Sequence, residues 1–257
     1  MKPISWYKSL NTSKYRRQHG CFLIEGKRAV DQVLTYHHKN IEELICTDET
    51  APDYSAASLP LAISVRTISA LHMKSICTSK TPQGVAALLR IPDNVYTSRL
   101  PKKISANTNT CERILLLEHI QDPGNVGTLI RTAAAFGISG VILSDQCADP
   151  FSSKVIQSTA GSLLSLLIRK SGEYMLMVSE LKNRGYKLIA ADVDGSESRD
   201  FKIDIPHILA LGNEGSGLSD DLLDKCDYRI RIPIIASGAE SLNVAVSGGI
   251  LMYVMGR

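Results

Sequence analysis

The chain has 257 residues, of which 44% are hydrophobic and 21% charged, and its formal net charge is +3. These totals exclude an extensively disordered chain, and the length allows one large domain or two small ones. No apolar run approaches the roughly 20 residues that cross a bilayer, and the N-terminal MKPISWYKSL lacks the apolar core of a secretion signal, so we expect a cytoplasmic protein with no membrane partner.

Six cysteines are spaced singly along the chain, without a C-x-x-C pair. This spacing supports neither a zinc site nor a disulfide framework. We therefore expect reduced, buried cysteines and no metal.

The first 28 residues are strongly basic. They contain seven Lys or Arg against the single acid Glu25, a charge of +7 − 1 = +6, with aromatic residues interleaved. Cations neutralise phosphates and aromatic faces stack on unpaired bases, which makes Lys14, Arg16 and Arg17 candidates for nucleic-acid contacts. A solvated basic N-terminus explains the charge alone equally well.

Strands and helices alternate in residues 1–90 and predict a small α/β unit. The predicted elements are strand 21–25, helix 26–36, strand 41–46, a short helix from Thr50, strand 61–68, helix 69–76 and strand 84–90. Residues 91–112 lack hydrophobic periodicity and are rich in Pro, Asn, Ser, Thr and Lys, which is typical of a linker. We place the domain boundary there.

Residues 113–257 predict a second α/β unit with a mostly parallel sheet covered by helices on both faces. The predicted elements are strand 114–117, helix 125–136, strand 141–143, helix 152–158, strand 163–168, helix 173–183, strands 187–191, 207–211 and 228–232, and a small-residue helix after Asn243.

Polar clusters follow three of these strands, at 122–132, 211–218 and 232–243. In the first, free helix amides and the planar fork of Arg131 suit a phosphate, although a capped helix start with a surface arginine is the simpler interpretation. The second, LGNEGSG, lacks the G-x-G-x-x-G spacing of dinucleotide sites. Its glycines still allow close approach of the backbone to a ligand.

Together and in this order, the three clusters resemble the SpoU branch of the SPOUT superfamily, the RNA ribose 2′-O-methyltransferases. The first motif is matched by Asn125, Gly127 (one position early) and Arg131–Ala133, the second by Leu211–Ser219, and the third by Ile232, Pro233 and Glu240–Val246. The loop between Pro233 and Glu240 is longer than the family pattern. Residues 1–90 are similar to the family's ribosomal-protein-like substrate-binding domain, through Gly20–Gly26 and Thr81–Gly84.

The resemblance implies an α/β fold whose second domain contains a deep trefoil knot, S-adenosylmethionine as cofactor, and an active site completed across a homodimer. By position, the cofactor meets Leu211, Gly212, Ile232 and Leu242. The reacting ribose is surrounded by Asn125, Arg131, Glu214, Ser241 and Asn243.

The implied reaction is methyl transfer to a ribose 2′-hydroxyl of structured RNA, with 23S ribosomal RNA expected before tRNA. A guanidinium is a poor literal base, so we expect Arg131 to orient the phosphate and the hydroxyl while the proton passes to phosphate or water. Two alternatives are a non-catalytic RNA-binding protein of this fold and a methyltransferase acting on something other than RNA. The basic N-terminal segment weighs against the latter.

Overall fold

The computed structural model describes residues 2–54, 59, 63–104, 111–199, 201–235 and 241–256. The chain forms two compact units, Met1–Asp93 with Asp149–Leu164, and Asn94–Ala148 with Ser165–Arg257. A division after Asp93 falls near the start of the predicted 91–112 linker. A contiguous domain 113–257 does not account for residues 149–164, which cluster with the first unit.

Along residues 2–93 the described elements are α1 (Ile4–Ser9), α2 (Ser13–His19), β1 (Cys21–Glu25), α3 (Lys27–His37), β2 (Ile41–Cys46), β3 (Ser64–Thr67), α4 (Ala70–Ile76) and β4 (Val85–Arg90). The sequence prediction had no helix before residue 21, because the basic segment there was interpreted only through its charge. The helix α2 ends where Gly20 adopts φ 63°, a left-handed conformation that glycine tolerates.

The elements that follow are β5 (Arg113–Leu117), α5 (Pro123–Ala135), β6 (Gly140–Ser144), α6 (Ser153–Thr159), β7 (Leu167–Ser171), α7 (Tyr174–Asn183), β8 (Lys187–Glu197), β9 (His207–Leu211), α8 (Asp220–Leu223), β10 (Tyr228–Arg231) and α9 (Val244–Met255). The predicted strand 163–168 is wrong in position. A 3₁₀ turn occupies Ser162–Ser165 and the strand is β7, because a short apolar run does not by itself distinguish a strand from a buried helical turn.

The first unit has a four-stranded sheet in the order β1-β4-β2-β3. β4 pairs antiparallel with β1 and β2, and β2 pairs parallel with β3. Val85 to Leu89 in the central strand β4 are all buried. The core beneath the sheet includes Tyr7 from α1 and Met73 from α4.

The second unit has a six-stranded sheet in the order β10-β8-β9-β5-β6-β7, and each adjacent pair is parallel. Leu115 in β5 pairs with Val141 on one side and Leu209 on the other. The near-continuous apolar runs of these strands are typical of a sheet buried on both faces. The α/β class predicted from sequence is confirmed. The knot stays a prediction, because strand order and pairing do not define how the chain is threaded.

Of the six cysteines, Cys21, Cys46 and Cys147 are buried and the other three are half-buried, and all are free thiols. Among the helices in the described ranges, none is both long enough and apolar enough to cross a membrane.

Arg16 was predicted to contact nucleic acid together with Lys14 and Arg17, but the structure buries it. Its side chain lies in the first unit's interior, with the residue only 3% exposed. The guanidinium donates to the carbonyl of Leu10 at 2.9 Å and forms an ion pair with Asp149. A side chain held in this way is not available to bind phosphate. It instead fixes the segment 149–164 within the first unit.

We expect Asp149→Asn to lower the free energy of unfolding by about 3–5 kcal/mol, because the substitution leaves a buried guanidinium without its counter-ion. Urea denaturation followed by circular dichroism measures the change. Asp53→Asn is the matched control, since Asp53 pairs with Lys27 where both side chains are more than half exposed. The control should unfold close to the parent midpoint, and equal midpoints for both variants would contradict the role of the Arg16 ion pair.

Candidate functional site

The carboxyl ends of β5 and β9 lie side by side at one edge of the second sheet. Leu117 pairs with Leu211, whose carbonyl accepts the amide of Glu118 at 2.9 Å. The chain moves from β5 to β6 on one side and from β9 to β10 on the other. Open α/β sheets bind ligands where the strand order reverses in this way, so a ligand site is expected at the loops after β5 and β9.

The loop after β5 leads into the capped start of α5. The side chain of Asp122 accepts the amide of Asn125 at 2.8 Å, and Pro123 occupies the first helical turn. An aspartate cap and an early proline both satisfy or remove amides that have no partner within the helix. These features fix Asn125 in the first turn of α5.

The loop after β9 is a tight turn. Asn213 and Gly217 exchange backbone hydrogen bonds of 3.0 and 2.9 Å, and the Asn213 side-chain oxygen accepts the amides of Gly215 and Ser216 at 2.9 and 3.2 Å. A Cβ at Gly212 would lie 2.2 Å from the carbonyl carbon of Gly217. The turn therefore requires glycine at position 212.

Three residues predicted to lie around one ribose come together at this edge. The amide nitrogen of Asn125 donates to Glu214 at 2.5 Å, and that of Asn243 donates to the Asn125 oxygen at 3.1 Å. The Asn243 oxygen accepts the amide of Ala245 at 2.9 Å and caps α9. We call Asn125, Glu214 and Asn243 the polar cluster. It presents one carboxylate and two amides, which can both donate to and accept from a hydroxyl-rich ligand.

A cavity of about 800 Å³ opens beside the polar cluster. Its lining includes all four residues predicted to meet a cofactor, Leu211, Gly212, Ile232 and Leu242. The volume is within the range of small-molecule sites, which combine an apolar lining with a few polar groups.

The remaining predicted site residues occupy different positions. Ser241 lines the cavity. Arg131 is exposed on α5 and is among neither the cavity-lining residues nor the polar cluster. Glu240, which belongs to the third sequence motif, lies outside the described residues.

Asp192 and Val193 also line the cavity, and sequence analysis did not single them out. The predicted strand 187–191 ends just before them, whereas β8 continues to Glu197. The signal was available, because a polar residue after an apolar strand marks the ligand-binding edge of a parallel sheet. Across the described ranges, no three His, Cys, Asp or Glu side chains lie close enough to hold a metal ion.

In the first unit, α2 presents Lys14 and Arg17 at the surface. Tyr15 on the same helix is 40% exposed and stacks on His19, with ring centroids 6.1 Å apart. Tyr7 is buried, and its hydroxyl contacts Glu43 and Arg66. The basic and aromatic surface thus retains two of the three predicted cations.

Two family models match the chain. The SpoU rRNA Methylase family matches residues 112–253, and the MRM3-like substrate binding domain matches residues 3–87. The first match contains both loops and the polar cluster.

Relatives match over nearly the whole chain. The 23S rRNA (guanosine(2553)-2'-O)-methyltransferase RlmP of Bacillus subtilis is 33% identical over 96% of this chain and 93% of its own length. A structure described as a putative RNA methyltransferase of the TrmH family, from Porphyromonas gingivalis, has a TM-score of 0.82 at 30% identity, covering 99% of this chain and 98% of its own. An AdoMet-bound rRNA methyltransferase from Sinorhizobium meliloti has a TM-score of 0.81 at 26% identity, covering 98% and 92%.

Proposed function

The chain belongs to the SpoU rRNA methylase family, and from this premise we propose that it methylates a ribose 2′-hydroxyl of 23S ribosomal RNA with S-adenosylmethionine as donor. The observation that carries the proposal is the polar cluster of Asn125, Glu214 and Asn243 beside the cavity at the β5–β9 edge. The RlmP relative supports 23S RNA as substrate. A ribosomal substrate also supports a cytoplasmic location.

The cavity suits the cofactor by size and lining. Leu211, Ile232 and Leu242 supply apolar surface, and Gly212 allows close approach of the backbone. When bound, S-adenosylmethionine supplies a methyl group on a positively charged sulfonium. We assign these four residues to holding it.

The polar cluster is suited to holding the ribose. Asn125 is itself held from two sides, by Glu214 and Asn243, so its amide is oriented before a substrate arrives. Much of the rate of a methyl transfer comes from placing the nucleophile in line, and a preorganised cluster supplies that placement. Ser241, at the cavity wall, would contact the ribose or shape the loop around it.

Arg131 has a different task in this proposal. It lies outside the polar cluster, on the exposed side of α5. A guanidinium matches a phosphate in a bidentate fashion. It would orient the phosphate next to the target ribose, and the hydroxyl proton would pass to that phosphate or to water.

A homodimer would complete the site and bring Arg131 to a polar cluster from the partner. Val246, Ile250 and Tyr253 are exposed at i, i+4 and i+7 on α9, which places them on one apolar stripe. The opposite side of α9 packs on the unit's own interior, because a Cβ added at Gly248 would lie 2.4 Å from the Leu129 side chain. The outer stripe is therefore the surface that we propose for the two-fold contact.

The first test separates substrate recognition from chemistry. Purified protein with labelled S-adenosylmethionine should methylate 23S RNA in preference to tRNA, and the modified ribose should resist alkaline cleavage. Arg131→Ala should lose methyl transfer by roughly 10²-fold at saturating RNA, while it retains much of the RNA affinity. Transfer by this variant at the parent rate would contradict the role of Arg131.

The double change Lys14→Ala and Arg17→Ala should weaken RNA binding and lower its salt slope by about one unit for each lost phosphate contact. Filter binding across a salt titration measures the slope. Cofactor affinity should be unchanged. An unaltered slope would exclude this face of α2 from RNA binding.

The second test concerns the cofactor. Gly212→Ala should abolish binding of the demethylated cofactor product in calorimetry with chelator present, because the new Cβ would collide with the backbone of Gly217. Gly172→Ala is the control, since a Cβ there lies an ordinary 3.8 Å from Asp145. Binding by folded Gly212→Ala at the parent affinity would be inconsistent with the assigned site.

The third test concerns assembly. Light scattering should give twice the 28.0 kDa of one chain. Val246→Glu combined with Tyr253→Glu should reduce that mass to one chain, because both substitutions place charge on the outer stripe of α9. Leu71→Glu, on an α4 residue that is 76% exposed in the first unit, should remain dimeric. A parent protein with the mass of a single chain would refute the dimer.

A further inference from the structure

Glu118 is a buried carboxylate that has no part in the proposed reaction as described by the polar cluster and Arg131. It follows β5 directly, and it is 0% exposed. One of its oxygens accepts the amide of Ser219 at 2.7 Å, and the other accepts the Ser219 hydroxyl at 2.7 Å and the hydroxyl of Tyr174. All three donors are neutral. A buried carboxylate is tolerated only when such donors compensate for its lost hydration. The three hydrogen bonds therefore fix the position of the Glu118 carboxylate.

Two of the three donors, the amide and the hydroxyl of Ser219, belong to the last residue of the 212–219 turn. Ser219 is the last residue of the stretch that begins at Gly212, and it is the N-cap residue of α8. The third donor, Tyr174, comes from α7, and its hydroxyl also contacts the Ser219 side chain. Burial and the neighbouring Glu118 carboxylate raise the pKa of the Tyr174 hydroxyl, so Tyr174 remains a donor at neutral pH. Glu118 is thus fixed on one side by α7 and holds the far end of the turn on the other.

The next residue holds the near end of the same turn. The carbonyl of His119 accepts the side-chain amide of Asn213 at 3.0 Å. His119 has φ 57°, a left-handed conformation that is uncommon outside glycine, and its amide donates to Ser144 at 2.9 Å. The dipeptide Glu118–His119 therefore binds the turn at two residues, Asn213 through the His119 carbonyl and Ser219 through the Glu118 carboxylate. Glu214 lies between these two residues.

We propose that Glu118 is a positioning residue that holds the 212–219 turn so that Glu214 meets Asn125 in the polar cluster. The inference rests on the proposed function, because it assigns to Glu214 a part in methyl transfer. Without Glu118, the turn loses both of the hydrogen bonds that the carboxylate makes to Ser219. A displacement of about 1 Å at a reacting centre costs up to about 10²-fold in rate, so the loss should appear in turnover at saturating substrate.

The experiment is a set of single-turnover methylation rates at saturating RNA and cofactor. Glu118→Ala should lower the rate by about 10-fold to 100-fold. Glu118→Gln should restore most of it, because its amide oxygen still accepts the Ser219 amide while the two hydroxyls rotate to accept its NH₂ group. Tyr174→Phe is the matched control, since it removes a bond to the same carboxylate and leaves both bonds between Glu118 and Ser219 in place, and it should transfer at nearly the parent rate.

A double-mutant cycle with Glu214→Ala separates positioning from a general loss of structure. If Glu118 acts through Glu214, Glu118→Ala should slow the Glu214→Ala enzyme much less than it slows the parent. Fully additive losses would overturn the proposal, as would a parent rate for Glu118→Ala or an equal loss in Tyr174→Phe.

If Glu118→Ala does not fold, Ser219→Ala serves in its place, because it removes one bond from the turn and leaves two donors on the carboxylate. It should lose rate by about 3-fold to 10-fold, a free-energy change of the size of one hydrogen bond, and show the same non-additivity. A parent rate would overturn the proposal. Absence of transfer by the parent protein would instead refute the proposed function, and a parent rate for Glu214→Ala would refute the role of Glu214 and the positioning role together.

Discussion

The parallel pairing of β5 with β9 is the constraint on which the site depends. Five consecutive pairs, from Arg113 with His207 to Leu117 with Leu211, align the two strands so that they end together. Both faces of these strands are buried, so a one-residue slip would move every side chain to the opposite face, where a close-packed interior fits differently shaped neighbours. The two loops that follow are 89 residues apart at Asn125 and Glu214, yet the alignment leaves those side chains within hydrogen-bonding distance.

The sequence allows much of this to be predicted because the site lies on strand ends. Apolar runs followed by polar, glycine-bearing loops indicated the edge, and ordered motifs indicated which side chains belong there. Strands with clear boundaries, such as β5 and β9, were predicted almost to the residue. The prediction failed where the apolar pattern was ambiguous, as in the 3₁₀ turn Ser162–Ser165, and where polar residues continue a strand, as in β8 beyond Ala191.

Buried charges were the main feature that the sequence could not reveal. Arg16 lies in a run of cations, and it is an interior residue whose ion-pair partner, Asp149, follows 133 positions later. Lys170 in β7 is similar, since its ammonium donates to the carbonyls of Ser144 and Cys147 at 3.1 and 2.7 Å and so holds the loop after β6. A charged residue is buried only when distant partners compensate for the loss of hydration. That condition has no local signature in the chain.

Two members of the polar cluster, Asn125 and Asn243, lie at the starts of helices, and Asn243 has two tasks. Asn243 caps α9 through its oxygen while its nitrogen holds Asn125, and Asn125 depends in turn on the Asp122 cap of α5. An amide is suited to this double use because it has a donor and an acceptor on one rigid group. An aspartate at 243 could keep the cap but would lose the donor, and it would face the Asn125 oxygen with a like partial charge. The need for both functions therefore selects asparagine at this position for a physical reason, whether or not the side chain touches the substrate.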